Sequence, residues 1–167
     1  EAGLVDIVMA RPVPRHLIIT RSAAVCGGAM AAILLAMLTA NRLAILWLIP
    51  AGLPVPRIAP LFGVALNLLA LLCCFGSAAL AAAAHARRRA PAAGAVGLAV
   101  VFLYLLQFAA TSWTPARPYA LASPFHYYEP MRTLLGLHHP RPDILVLLAV
   151  TGALGATAYL LYGRRDL

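Results

Sequence analysis

The chain has 167 residues, 63% of them hydrophobic and 11% charged, with a mean hydropathy of +0.88. Soluble domains are about 45–50% apolar and about 25% charged, and one of this size buries only about two-thirds of its surface, so a soluble enzyme and a disordered chain are both excluded. Thirteen basic residues, all Arg, stand against five acidic ones and leave a formal charge of +8. These arginines fall between apolar runs, so they read as anchors of membrane loops and not as a nucleic-acid footprint.

In chain order, the opening stretch EAGLVDIVMARPVPR differs in kind from the rest of the chain. On a helix, Leu4, Val5, Ile7, Val8 and Met9 cover one broad face, leaving Gly3, Asp6 and Ala10 on the other. Pro12 and Pro14 end the pattern, because proline lacks a donor and restricts the residue before it. Residues 1–21 are therefore expected to form a short amphipathic helix and linker ahead of a transmembrane domain at 22–167. Such a helix either lies on the membrane surface or presents a contact to a cytoplasmic partner, and both readings stand on the residues alone.

Four runs, 22–40, 61–84, 92–111 and 144–162, have the roughly 20 apolar residues that a crossing helix needs and contain no Asp, Glu, Lys or Arg. The expected fold class is all-α integral membrane, a polytopic helix bundle of four transmembrane helices. The stretch 43–49 is apolar but too short to cross alone; it reads as a continuation of the first helix or as a re-entrant or interfacial piece. With the N-terminal segment inside, the inner loops carry eight Arg in 33 residues and the outer loops five in 52, which places both ends in the cytoplasm.

Gly27, Gly28 and Ala31, Gly94 and Gly97, and Gly152 and Ala156 punctuate the spans. Small residues let helices approach closely in lipid, and packing within the chain is the first reading, a dimer face the second. Asn67 and Gln107 are the most polar side chains in the spans, candidates either for a pathway or for helix packing. Cys26, Cys73 and Cys74 all lie in apolar runs and read as small packing residues, with neither a disulfide framework nor a zinc site indicated.

The stretch 112–143 holds the one cluster of catalytic residue types: His126, Glu129, His138 and His139, beside Tyr127 and Tyr128. Ser123 followed by Pro124 reads as a helix cap and first helical residue, which would set His126 and Glu129 on one face. A metal or acid–base site is conceivable from these types, yet no HExxH spacing and no nucleophile–base–orienter set is visible. Trp113, Tyr119, Tyr127 and Tyr128 suit an aromatic belt at the outer interface. No GxxxxGK[ST] phosphate loop is present.

Three segments carry a family resemblance. EAGLVDIVMARPVPRHLIITR resembles the cytoplasmic loop between the second and third spans of type-2 ATP-binding-cassette (ABC) exporter permeases. SPFHYYEPMRTLLG resembles the outer segment before the last span of that family, and LLYGRRDL resembles its closing stretch. They occur in the family's order across essentially the whole chain, and the family's six spans imply two more N-terminal to Glu1. The resemblance implies a permease subunit of an ATP-driven exporter in a bacterial cell (plasma) membrane; separately, the heavy use of Ala, Arg, Gly and Pro without Lys looks like a GC-rich coding bias. The resemblance further implies a cytoplasmic ABC ATPase partner that binds ATP and Mg, a second permease domain as homo- or heterodimer, and no catalytic residue or cofactor in this chain. Gly3, Asp6, Ala10 and Arg11 would then contact the ATPase, with Arg164, Arg165 and Asp166 facing the same side. Two other classes remain: an intramembrane enzyme built on His126, Glu129, His138 and His139, and a membrane scaffold that moves no solute.

Overall fold

The computed structural model describes residues 15–48, 57–86 and 89–163. Four long helices dominate: α1 (Arg15–Leu48), α2 (Ile58–His85), α3 (Arg89–Ser112) and, last in the chain, α6 (Arg141–Gly163). All four are long and apolar enough to cross a bilayer, and among the described residues there is no strand. The chain is thus an all-α polytopic membrane helix bundle. The expected amphipathic helix at 1–10 lies outside the described residues, as do Gly3, Asp6, Ala10, Arg11, Arg164, Arg165 and Asp166.

The apolar stretch after Asn41 and Arg42 proves to be a continuation of the first helix, since α1 runs unbroken to Leu48. Asn41 and Arg42 interrupt apolarity without interrupting helical geometry, because neither removes a backbone donor as proline does. At 1.5 Å per residue the 34 residues of α1 reach about 51 Å, longer than a hydrocarbon core of about 30 Å. The other boundaries follow local chemistry. Pro91 and Pro142 sit in the first turns of α3 and α6, where a missing N–H costs no helix bond, and Asp143 favours the positive end of α6.

Helix α2 is the hub. It packs most extensively on α6, beside which it runs parallel, and also against α1 and α3. The core between α2 and α6 is formed by Ala70, Leu71, Cys74 and Leu147, each at most 4% exposed. At the far end of the same pair, the hydroxyls of Thr20 on α1 and Tyr159 on α6 are hydrogen bonded. The outward faces carry large apolar side chains such as Val25, Trp47, Leu98, Phe102 and Leu145, all more than half exposed to any solvent. Helices apolar all round are what a lipid environment selects, because lipid tails solvate those faces without cost.

The glycines of the spans behave differently from expectation. A Cβ built on Gly27, Gly28, Gly94, Gly97 or Gly152 would meet no atom within 4 Å, so none of them is a point of close approach within this chain. The close approach occurs instead at Gly63 of α2, where a Cβ would lie 3.2 Å from Pro140 Cγ. Sequence spacing marks where small residues lie, and only packing decides which of them face a neighbour.

Candidate functional site

The 28 residues between α3 and α6 are not an irregular loop. They fold into a 3-10 turn (Thr114–Ala116), a helical turn α4 (Arg117–Ala120), a second 3-10 turn (Pro124–Tyr127) and α5 (Pro130–Leu134). Ala116 and Ala120 pack on Ala110 of α3, three small side chains that let the chain double back closely. The second 3-10 turn then enters the bundle, with contacts to α2, α3 and α6.

Ser123 fixes the depth of this excursion. Completely buried, it donates its hydroxyl to the Leu103 carbonyl at 3.0 Å, while the Phe125 amide donates to Ser123 Oγ at 3.3 Å. Leu103 lies nine residues before Ser112, the last residue of α3, which is about 14 Å along that helix. Phe125 packs tilted against Phe75 of α2, ring centroids 5.1 Å apart, and meets Tyr104 of α3 edge-on at 5.6 Å. Non-helical backbone at membrane depth is tolerated only where protein covers it and satisfies its polar groups. Three side chains do so here: Ser123, Tyr127, whose hydroxyl donates to the Leu121 carbonyl at 3.1 Å, and Asn67, whose Nδ2 donates to the Tyr127 carbonyl at 2.9 Å.

Asn67 is 2% exposed, so this bond ties the middle of α2 to the re-entrant turn. Its Oδ1 is buried and without a hydrogen-bond partner among the described residues, as is Gln107 Oε1. Gln107 lies on α3 beside a small cleft also lined by Tyr104, Phe108, Phe125 and Tyr128. Neither amide oxygen accepts a hydrogen bond from the other residue, and each approaches the re-entrant turn from its own helix.

The residue types that suggested chemistry are dispersed. Ser123 caps a turn as expected, but the turn is a single 3-10 unit that ends at Tyr127, and Glu129 begins the next helix as its cap. His126 and Glu129 therefore do not share a helix face. His126 meets the Tyr127 ring edge-on at 5.4 Å, Glu129 pairs with Arg132 at 3.1 Å, and His138 Nε2 donates to Asp143 Oδ2 at 2.6 Å. Among the described residues no three His, Cys, Asp or Glu side chains are grouped so that they could hold a metal ion. The belt expectation also divides: Trp113 and Tyr119 are exposed, at 65% and 67%, whereas Tyr127 and Tyr128 pack against the α2–α6 core. Burial pushes the Tyr128 phenol above its ordinary value.

Two features escaped sequence reasoning. The His138–Asp143 pair spans two prolines with no regular period between them, so spacing carried no signal. Ser123's bond to Leu103 joins residues 20 apart through a reversal of the chain. No protein-family model, curated protein or solved structure matches this chain.

Proposed function

We propose that this chain is the membrane-spanning part of a permease subunit of an ABC exporter, forming a substrate pathway with a second permease domain and driven by a cytoplasmic ATPase. The observation that supports this reading is the character of residues 123–136, the stretch that resembles the family's outer segment before the last span. It is a built element, capped by Ser123 and tied to α2 through Asn67, directly before the last long helix. A permease needs its spans to move as bodies under an external energy source, and pinned re-entrant turns transmit displacement where slack loops would absorb it. ATP hydrolysis and its Mg belong to the partner, so this chain supplies pathway, support and contact rather than bond chemistry.

By resemblance the contact falls on the N-terminal segment, residues 1–11. Gly3 and Ala10 would permit close backbone approach, while Asp6 and Arg11 would make charge-assisted hydrogen bonds across the interface. The test is copurification of the ATPase and ATP-driven export for the full-length permease carrying Asp6→Arg or Gly3→Leu, with membrane insertion measured separately. Breaking a buried charged pair costs about 3–5 kcal/mol, a loss of more than about a hundredfold in affinity. Normal insertion with undiminished ATPase binding and export in both variants would falsify the assignment.

A further inference from the structure

A cavity of about 750 Å³ opens where α2 and α6 begin, away from the pinned 3-10 turn. That volume lies within the range of about 300–1,000 Å³ typical of small-ligand sites. Its walls are apolar, with Phe62, Leu66 and Ile144 from the two helices, and its polar margin includes His139 and Arg141. The floor is formed where Gly63 meets Pro140, so the helix and the connecting segment close on each other without an intervening side chain.

Arg141 is the one permanently charged side chain among the described residues that line this cavity. Among the described residues no carboxylate lines it, and Asp143, two residues beyond Arg141, is engaged by His138 at 2.6 Å. No described residue forms an ion pair with Arg141, whose guanidinium is always protonated. The parallel starts of α2 and α6 add positive ends of two long helices at the same level. Since both helices are of membrane-crossing length, their starts fall where bilayer meets water, and a molecule there can keep an apolar body in lipid and a charged head outside.

We propose that this cavity binds an anionic amphiphile, with its apolar chain along Phe62, Leu66 and Ile144 and its acidic head on Arg141 and His139. A small inorganic anion would leave the apolar walls unfilled, and a cation would face Arg141. The inference goes beyond the permease reading and does not depend on it, and its test requires no ATPase.

The experiment places a reporter tryptophan in the cavity as Phe62→Trp, with a second at its exposed lip as Ala59→Trp. Every other tryptophan, Trp47 and Trp113 included, is replaced by Phe in the full-length protein. Reconstituted in bilayers, the reporter is quenched by brominated phosphatidylglycerol, by brominated phosphatidylcholine, or by a terminally brominated fatty-acid anion added to phosphatidylcholine. The expected result is preferential quenching by an anionic probe, with the preference reduced about tenfold in Arg141→Gln, as loss of a charge-assisted hydrogen bond requires. Quenching by the phosphatidylglycerol alone assigns the site to a membrane lipid, and quenching by the fatty-acid anion alone assigns it to a free amphiphile. Equal quenching by anionic and zwitterionic probes, or a preference that survives Arg141→Gln, overturns the proposal.

Discussion

Ser123 and Leu103 are joined by a 3.0 Å hydrogen bond that holds a non-helical turn against the interior of a membrane-crossing helix. Ser123 has no exposed surface, so its hydroxyl serves as donor to Leu103 and acceptor from Phe125 with no water in competition. Replacing it with Ala is expected to strand the Phe125 amide and destabilise the protein by about 0.5–2 kcal/mol. Thermal unfolding of purified Ser123→Ala in mild detergent measures this, and a transition identical to the parent would remove Ser123 as the anchor of the re-entrant turn.

Asn67 makes a second pin on the same turn, between α2 and the Tyr127 carbonyl. Asn67→Leu should lower stability by about 0.6–2 kcal/mol, since the Tyr127 carbonyl would be left unpaired at membrane depth. Combined with Ser123→Ala, its effect should exceed the sum of the single changes, because both bonds hold one short turn. Strict additivity of the two would show that the pins act on separate elements.

The two acidic residues near the connecting segment should differ in weight. The Glu129–Arg132 pair is exposed, with side chains 33% and 62% accessible, and such pairs contribute about 0–1 kcal/mol. Asp143 is 16% accessible, holds His138, and stands in the first turn of α6, where a negative charge adds up to about 1 kcal/mol through the helix dipole. Asp143→Asn is therefore predicted to destabilise clearly more than Glu129→Gln in the same unfolding assay. The reverse order would mean that the His138 contact contributes little. Stoichiometric metal in the purified protein, lost on His126→Ala or His138→Ala, would revive a catalytic reading of this segment.

Orientation is testable at positions that the fold shows to be suitable. Leu137 is 70% exposed beside the start of α6, and Ala86 follows the end of α2, at opposite ends of that helix. Single cysteines there, in a background without Cys26, Cys73 and Cys74, should react with an impermeant thiol reagent from opposite sides, Leu137→Cys from outside the cell. Labelling of both from the same side would contradict the four-span topology. Tyr127, despite its place in an apparent outer loop, is a poor labelling site because it packs into the core.

The sequence by itself determined the class and the count of spans. Apolar runs of the length of 61–84 and 144–162 admit no other solvent than lipid, since their backbone must be satisfied within each segment and their side chains can stay on the outside. Proline positions such as Pro91 and Pro142 likewise set the helix starts, because the constraint they impose is local. What only the tertiary structure decided is non-local. That Gly63 and not Gly27 or Gly94 receives a neighbour, that residues 123–127 enter the bundle, and that His138 turns to Asp143 while Glu129 turns to Arg132 all depend on packing between distant elements. In a chain apolar on every face, hydrophobic periodicity carries no information about which side looks inward, so polar pins and small-residue contacts make that choice.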